Sequence, residues 1–251
     1  MSSNLVVIQA RMNSTRFPGK VLADLHGEPM IKYQIERVKN SKEVNQIVVA
    51  TSTEESDNEL SDYLNSVSQP VFRGPLNNVL LRFLQVLDTY DPSYFIRITG
   101  DCPLVMPDLL DEMIRQFTNS DLDYLSNVIE PSFPDGLDIE IVSTHAFRNL
   151  AKLNLSTVER EHVTLGLYSR PSQFKIQNFG SNLGMQRERW TVDYPEDLEF
   201  IRRVVAFEKT QSKLLEIPEV LKYLKNNPEA QNKLSGDLRN EALKDWKPEH
   251  D

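Results

Sequence analysis

Short apolar strands alternate with amphipathic helices along the first half of this 251-residue chain. Strands are predicted at residues 5–8, 46–51, 70–72 and 94–99, and helices at about 29–40, 60–67, 79–87 and 109–117. The helices are recognised by apolar residues that repeat at i, i+3, i+4 and i+7. Because βαβ units join parallel strands, this alternation predicts an α/β fold with a mainly parallel sheet.

The second half of the chain follows a different rhythm. Leu137, Ile139 and Ile141 alternate with Asp138 and Glu140, which predicts a strand with one buried and one polar face. Further helices are expected at 144–153, 157–168, 195–208 and around 220–224, with strands at 173–179 and 189–193. A charged tail begins near residue 236, and its composition is typical of a disordered segment.

Composition limits the partners that the chain can have. Its residues are 39% hydrophobic and 26% charged, as in an ordinary globular protein, and no apolar run approaches the roughly 20 residues that span a bilayer. A net charge of −9 argues against general nucleic-acid binding but permits a local cationic pocket for a small anion. The single cysteine, Cys102, cannot form an internal disulfide, and the N-terminus shows no signal pattern. We therefore expect a cytoplasmic protein with no membrane or nucleic-acid partner.

A cation-rich loop follows the first strand. Between Ala10 and Lys20 it carries Arg11 and Arg16 together with the hydroxyl of Ser14. Fixed positive charges, hydroxyls and backbone N–H groups suit a polyphosphate, and open α/β sheets place nucleotides at the carboxyl ends of their strands. The loop contains neither GxxxxGK[ST] nor GxGxxG, so it is not an ordinary P-loop or dinucleotide fingerprint. The alternative is a solvated basic loop behind a core strand.

The pattern R-x-x-S-x-R-x-P-x-K in this loop resembles the signature loop of the sugar cytidylyltransferases. That family includes the enzymes that activate 3-deoxy-manno-octulosonate and the sialic acids as CMP-sugars. The stretch over residues 10–22 looks most like the spore-coat polysaccharide SpsF branch. The resemblance implies that Arg11, Ser14, Arg16 and Lys20 hold the triphosphate of CTP, beside Ala10.

Two aspartates are candidate metal ligands. Asp101 directly follows Gly100 at the end of a central strand, where ligands of α/β sheets bind. Mg²⁺ takes one or two carboxylates plus phosphate oxygens, although Asp101 has the alternative role of a helix cap. This segment resembles the family's T-G-D-C-P motif, and residues 190–198 resemble its V-D-T-P-E-D-L motif. The resemblance implies that Asp101 and Asp193 bind Mg²⁺ together and that Gly100 lies beside the nucleotide.

A third segment resembles the nucleotide side of the family's pocket. Arg73, Gly74 and Arg82 match the pattern R-G-x-x-x-D-V-L-x-R, with Asn78 at the position of the aspartate. The alternative for Arg82 is a surface arginine on an amphipathic helix.

Two segments resemble the acceptor side. Asp138 and Glu140 match the P-x-G-L-D-x-E segment of the SpsF branch, and Arg160 and His162 match its R-E-H-V-T segment. Arginine offers a planar fork for a carboxylate, so Arg160 and His162 are candidates for holding an acceptor carboxylate. The alternatives are a solvated strand face for the first pair and a structural histidine for the second.

The resemblance covers about residues 4–208 and implies a three-layer, Rossmann-like nucleotidyltransferase fold. The implied reaction transfers CMP from CTP to an anionic sugar, a nonulosonic or related keto-sugar acid, and releases pyrophosphate for glycan or surface polysaccharide synthesis. Arg11, Arg16 and Lys20 would stabilise the pyrophosphate, and Mg²⁺ would be the cofactor. We expect a homodimer with a main domain over 1–208, a substrate-side or dimerisation element at 125–185, and a helical, charged tail over 209–251.

Two other functions stay open at this point. A glycosyltransferase would bind metal through a D-x-D pair after a strand, but Asp121-Leu122-Asp123 precedes the predicted strand. A non-catalytic nucleotide-binding relative is the other, because three positions depart from the family's pattern: Asn13 for glycine, Asn78 for aspartate and Tyr194 for threonine.

Overall fold

One mixed sheet organises the computed structural model, which describes residues 3–182 and 184–234. Across those residues the strands are β1 (Asn4–Gln9), β2 (Gln46–Ser52), β3 (Val71–Gly74), β4 (Tyr94–Thr99), β5 (Tyr124–Ser126), β6 (Glu140–Ser143) and β7 (Ile176–Asn178). Their order is β3-β2-β1-β4-β6-β5-β7, and of these strands only β6 runs antiparallel to its neighbours. The α/β class and the mainly parallel sheet predicted from the sequence are confirmed.

Helices cover both faces of the sheet. In the described ranges they are α1 (Met30–Lys39), α2 (Asn58–Ser66), α3 (Val79–Tyr90), α4 (Pro107–Thr118), α5 (Thr144–Leu150), α6 (Thr157–Glu161), α7 (Leu165–Tyr168), α8 (Pro195–Glu208) and α9 (Ile217–Asn226). Val6 and Ile8 of β1 belong to one buried cluster with α1, α2, α4, α8 and α9, whereas Leu5 and Val7 belong to another with α3, α5 and α7. Because successive strand residues point to opposite faces, the sheet is the middle of three layers.

The strand predicted at 137–141 begins later than expected, at Glu140. The side chain of Asn127 takes the place of a strand partner for the residues before it. Its amide donates to the Leu137 carbonyl at 2.7 Å, and its oxygen accepts from the Ile139 N–H at 2.8 Å. A buried side chain therefore satisfies the backbone here, and the alternating apolar pattern does not require a ladder.

Two other predicted elements also differ from the structure. The helix expected at 157–168 is divided into α6 and α7, because Val163 adopts a φ of 44°, which a helix cannot contain. The strand expected at 189–193 is wrong, since in that segment Arg189 forms an isolated bridge with Asp135.

The helix predicted beyond residue 208 is present as α9, and its apolar side chains are buried. Ile217, Val220 and Leu224 join the cluster that also contains α1 and α8. The division of the chain at residue 208 stays a prediction, and the charged tail from residue 236 lies outside the described residues. Among the described residues, no helix combines the length and apolar character needed to cross a membrane.

A buried ion pair fastens α8 and the segment before α9 to α1. The Arg37 guanidinium, 1% exposed, pairs with Glu208 and donates to the Leu215 carbonyl. The Glu208 carboxylate also accepts from the Tyr33 hydroxyl and from the Leu215 N–H. Three elements thus meet at one carboxylate.

Glu208→Gln should lower the free energy of unfolding by about 3 kcal/mol, because it leaves the buried Arg37 without a counter-charge. The exposed pair of Glu36 with Lys39 supplies the control, and Glu36→Gln should change stability by less than about 0.5 kcal/mol. Urea unfolding followed by circular dichroism measures both variants. Equal, small effects would show that the buried pair does not fasten these helices.

Candidate active site

The loops that follow β1 and β4 begin side by side, at the point where the winding of the sheet reverses. The Gly100 N–H donates to the Gln9 carbonyl at 2.8 Å. A Cβ at Gly100 would lie 2.8 Å from the Cβ of Ala10, so only glycine permits this approach. In open α/β sheets such a switch point is where ligands bind. The structure therefore brings Ala10 and Gly100, both predicted at the nucleotide, to one place.

The loop after β1 is fixed by a carboxylate that sequence reasoning missed. Asp57 accepts from the Met12 N–H at 2.7 Å with one oxygen and from the Ser52 N–H at 3.0 Å with the other. The Met12 carbonyl in turn accepts from the N–H of Gly19 at 2.8 Å, and Gly19 has a φ of 74°. The left-handed residue of this loop is thus Gly19, whereas Asn13 does not have a positive φ. The substitution at Asn13 imposes no backbone strain.

The Lys20 ammonium lies between the two predicted metal ligands. It is 3.0 Å from Asp101 Oδ2 and 2.8 Å from Asp193 Oδ1, and it also donates to the Val192 carbonyl at 2.8 Å. The Lys20 side chain is buried, with 7% of the residue exposed. The structure therefore joins Lys20, Asp101 and Asp193, which are far apart in the sequence, in one ion-pair cluster.

All three members of this cluster are held in their charged forms. Burial alone would lower the pKa of Lys20, but the carboxylates of Asp101 and Asp193 outweigh it and raise that pKa. Burial alone would raise the pKa of Asp101, but the Lys20 ammonium and the Thr99 hydroxyl outweigh it and lower the pKa to about 2. The pKa of Asp193 is lowered in the same way, against burial, by Lys20. The carboxylates are thus available as anionic ligands near neutral pH.

Two arginines contact Asp193 in addition to Lys20. Arg16 reaches its Oδ2 at 2.8 Å, and the buried Arg189 reaches the same oxygen at 3.1 Å. The guanidinium of Arg16 also lies 5.2 Å from the centre of the Tyr194 ring. Tyrosine in place of the family's threonine therefore adds a cation–π contact to a predicted phosphate-binding residue.

Arg189 is a site residue that the sequence did not reveal. Besides Asp193 it pairs with Asp135 at 2.8 Å and with Asp197 at 3.1 Å, and only 2% of it is exposed. Asp197 also accepts from the N–H groups of Asp193 and Tyr194 at the start of α8. Arg189 holds the Asp193 carboxylate and Asp197 holds the Asp193 backbone, so together they fix the orientation of Asp193. In the sequence, only the i, i+4 spacing of Arg189 and Asp193 hinted at this ion pair. That spacing predicts a side-chain pair on a helix, and these two residues do not lie on one.

Arg73 and Arg82 lie near the ends of β2 and β3, at one side of the candidate site. Arg82 is 2% exposed, so the alternative of a surface arginine is wrong, and it donates to the carbonyls of Pro75 and Leu76. A Cβ at Gly74 would lie 2.7 Å from the Arg82 side chain, so the glycine makes room for it. Arg73 donates to the Ser52 carbonyl and to a neighbouring backbone carbonyl at 2.9 Å each.

Positive charge accumulates around these two arginines, which are predicted to lie beside the nucleotide. Burial lowers the pKa of Arg82, Asp57 partly offsets this effect, and Arg11 lowers the pKa further, which shows that Arg11 lies close enough to act on Arg82. Arg11 itself is exposed at the mouth of the loop. An anion bound here would offset the repulsion between Arg11 and Arg82.

The residues predicted to bind the acceptor lie around Glu140. Its carboxylate is 5% exposed, pairs with Arg97, and accepts from Tyr124 Oη at 2.6 Å and Thr164 Oγ1 at 2.5 Å. The alternative of a solvated face is therefore wrong for Glu140, whereas Asp138 is half-buried. Arg97, which also donates to the side chain of Gln9, was missed because it lies inside an apolar strand.

Arg160 and His162 lie at the end of α6, beside this network. The Arg160 Nε donates to the Leu155 carbonyl at 3.2 Å, and the residue is half-buried. Burial lowers the pKa of His162, Glu161 opposes this effect, and Arg97 lowers the pKa further. His162 is thus a neutral hydrogen-bonding group near pH 7, and Arg160 supplies the charge of this pair.

The donor set of Asp101 and Asp193 fits Mg²⁺. Both carboxylates already share one cation, Lys20, and hard carboxylate oxygens are the ligands that Mg²⁺ takes. Within the described ranges, no group of three or more His, Cys, Asp or Glu side chains could hold a metal ion. A Mg²⁺ ion at these two aspartates would therefore need further oxygens from water or from phosphate.

Comparison with known proteins identifies the family. The cytidylyltransferase family model matches residues 5–234. The chain belongs to the cytidylyltransferase family. The spore coat polysaccharide biosynthesis protein SpsF of Bacillus subtilis is 33% identical to this cytidylyltransferase over 247 residues, which cover 94% of this chain and 100% of that protein. A 3-deoxy-manno-octulosonate cytidylyltransferase of Chromohalobacter salexigens is 32% identical over 136 residues, 52% of this chain and 51% of that protein.

Solved structures agree with this assignment. A cytidylyltransferase from Leptospira borgpetersenii superimposes with a TM-score of 0.87 at 28% identity and covers 93% of this chain and 98% of that one. A CMP:2-keto-3-deoxy-manno-octonic acid synthetase complexed with CTP superimposes with a TM-score of 0.63 at 19% identity, over 82% and 100% of the two chains, and this likeness concerns the fold. The resemblance inferred from the loop motifs and the nucleotidyltransferase fold are both confirmed.

The departure at Asn78 has a structural role in this cytidylyltransferase. Asn78 is the N-cap of α3, and its side-chain oxygen accepts from the Leu81 N–H at 3.0 Å. Aspartate and asparagine cap helices about equally well. Asn78 therefore does for α3 what the aspartate of the family's pattern would do.

Asn78→Ala should lower the free energy of unfolding by about 1 kcal/mol, because it removes the cap. Asn78→Asp should leave the stability within about 0.5 kcal/mol of the wild type, since the carboxylate keeps the hydrogen bond and favours the helix dipole. Thermal and urea unfolding of the two variants check this. A loss in the aspartate variant as large as in the alanine variant would contradict the capping role.

Proposed function

We propose that this cytidylyltransferase transfers CMP from CTP to an anionic sugar, a nonulosonic or related keto-sugar acid, and releases pyrophosphate. The observation that carries the proposal is the cluster of Lys20 with Asp101 and Asp193 at the switch point of the sheet, next to the cationic loop that contains Arg11 and Arg16. The similarity to a spore coat polysaccharide biosynthesis protein supports a product used in surface polysaccharide or glycan synthesis.

In the proposed reaction the loop after β1 binds the triphosphate. Arg11, Arg16 and Lys20 neutralise the pyrophosphate as it departs, and Ser14 and the backbone N–H groups of the loop donate to its oxygens. Asp101 and Asp193 hold Mg²⁺, which supplies positive charge to the phosphate when bound. Arg73, Gly74 and Arg82 shape the wall beside the nucleotide. The chain thus contributes position and charge, which is what phosphoryl-type transfer requires.

The acceptor is proposed to bind on the side of β6. Arg160 offers a planar guanidinium to the acceptor carboxylate, and His162 a neutral hydrogen-bonding group. Glu140 acts through Arg97, whose position it fixes, and Asp138 lies two residues before it in the same segment. The homodimer and the cytoplasmic location stay predictions.

The D-x-D motif that a glycosyltransferase would use for its metal lies at the opposite end of the strands from Asp101. Asp121 and Asp123 precede β5, which runs parallel to β7 and antiparallel to β6, and therefore in the same direction as β4. Their position at the amino end of β5 is opposite to Asp101, which follows the carboxyl end of β4. Asp121 is largely exposed and pairs with Lys175.

The function can be tested by incubating the protein with each nucleoside triphosphate, Mg²⁺ and a panel of acceptors. The panel contains sugar acids and the phosphates of neutral sugars. We expect pyrophosphate with CTP and a sugar acid, and a CMP-sugar detected by mass spectrometry.

Arg160→Ala should raise the KM of the acceptor by about tenfold and leave that of CTP unchanged, because one charge-assisted contact is lost.

Two results would contradict the proposal. Release of a nucleoside diphosphate or monophosphate from a nucleotide-sugar, without pyrophosphate from any triphosphate, would indicate the glycosyltransferase. Binding of CTP without turnover of any acceptor in the panel would indicate a non-catalytic relative.

The shared metal site predicts a non-additive pair of substitutions. Asp101→Asn and Asp193→Asn should each lower kcat by more than about 100-fold, and the double variant should be little worse than either, because both act through one ion. Asp121→Asn is the matched control at the glycosyltransferase motif, and it should retain wild-type activity. Additive losses at Asp101 and Asp193, or loss of activity in the control, would argue against the site.

A further inference from the structure

The hydrogen bonds of the Lys20 ammonium leave no donor for a phosphate. A lysine ammonium has three N–H donors. Here they meet Asp101, Asp193 and the carbonyl of Val192, at 3.0, 2.8 and 2.8 Å. Lys20 is also one of the residues proposed to bind the triphosphate. It can bind a phosphate only by giving up a partner in this cluster.

The carboxylates, in turn, cannot release Lys20 without another cation. Without Lys20, Asp193 would still contact Arg16 and Arg189. Among the described residues, however, Lys20 is the only cationic side chain within 4 Å of Asp101. The Asp101 side chain is only 27% exposed, and a carboxylate that is mostly removed from water is destabilised when it loses its counter-charge. Carboxylate oxygens bind Mg²⁺ at about 2.0–2.1 Å, so a metal ion and the ammonium would compete for the same oxygens.

We propose that Lys20 is an internal stand-in for the metal ion, which holds Asp101 and Asp193 together in the nucleotide-free protein and moves to the triphosphate when Mg²⁺ and CTP bind together. This inference rests on the proposed function, because it requires both ligands. The move needs only rotation of the flexible four-carbon side chain. The backbone of Lys20 stays in its turn, where its carbonyl accepts from the Ala23 N–H at 3.1 Å.

The exchange makes the binding of metal and nucleotide cooperative. A metal ion alone has to displace Lys20 with no phosphate to receive it, and CTP alone has to draw Lys20 away from Asp101, which then has no cation beside it. When both bind, each receives the partner that the other releases. By linkage, the gain in metal affinity caused by CTP equals the gain in CTP affinity caused by metal.

Binding of Mn²⁺ to the nucleotide-free protein, followed by the electron paramagnetic resonance signal of free Mn²⁺, tests the stand-in directly. Lys20→Met removes the ammonium and should increase the affinity for Mn²⁺ by about tenfold or more. Lys20→Arg keeps a cation between the carboxylates and should leave the affinity near that of the wild type. Arg11→Met, the matched control, removes the same charge from the same loop at an exposed position and should have less than about a twofold effect.

Unchanged Mn²⁺ affinity in the methionine variant, or an equal increase in the Arg11 control, would overturn the proposal. If Lys20→Met does not fold, Lys20→Gln takes its place, because its amide keeps a hydrogen bond to the carboxylates. In the wild type, the ¹⁵Nζ resonance of Lys20, assigned by its absence from Lys20→Arg, should shift with Mg²⁺ and CTP together and stay in place with Mg²⁺ alone. A shift with Mg²⁺ alone would also overturn it.

Failure of the proposed function has a separate signature. If the wild type does not bind CTP in isothermal titration calorimetry with Mg²⁺ present, the cytidylyltransfer proposal fails, whatever the Mn²⁺ results. If it binds CTP and Lys20→Met leaves Mn²⁺ binding unchanged, only the stand-in role is excluded.

Discussion

The ion-pair cluster of the buried Lys20 with the half-buried Asp101 and Asp193 joins three separate parts of the chain. Two of these parts are the loops after β1 and β4, and the third is the segment that leads into α8. Opposite charges that are largely removed from water are stable only when their geometry and hydrogen bonding are complete. The small residues Gly100 and Ala10, which let the two loops meet, are therefore requirements of the cluster as well as predicted neighbours of the nucleotide.

Buried arginines extend the same principle around the site. Arg189 ties Asp193 to Asp197 and Asp135, Arg82 holds the carbonyls at the start of the segment before α3, and Arg97 joins β1 to Glu140. Each guanidinium offers five donors in a fixed plane, so one side chain can satisfy several backbone or carboxylate oxygens at once. Arg189 and Arg82 thereby hold irregular segments in a defined shape without strand pairing, whereas Arg97 and Glu140 lie opposite each other on the paired strands β4 and β6.

Sequence periodicity predicted the α/β fold and most of its helices, because these depend on local spacing of apolar residues. The same reasoning placed a strand at 137–139, where Asn127 replaces the ladder, and continued a helix through Val163, whose φ no pattern announces. For the site, the motifs located Lys20, Asp101 and Asp193. That Lys20 pairs with both acids was not predictable, because ion pairs between distant segments leave no local signal.

The distribution of charge separates the two halves of the site. On the proposed nucleotide side, Arg11 stands in one loop with Arg16 and Lys20, which pair with Asp101 and Asp193, and near a buried arginine whose pKa is lowered mainly by burial. On the proposed acceptor side, the charge of Arg97 is balanced by Glu140, and burial keeps His162 neutral near pH 7. A triphosphate carries several negative charges and a sugar acid carries one, so the first half needs an excess of cations, whereas one arginine suffices in the second. The two halves therefore differ in charge as the two proposed substrates do.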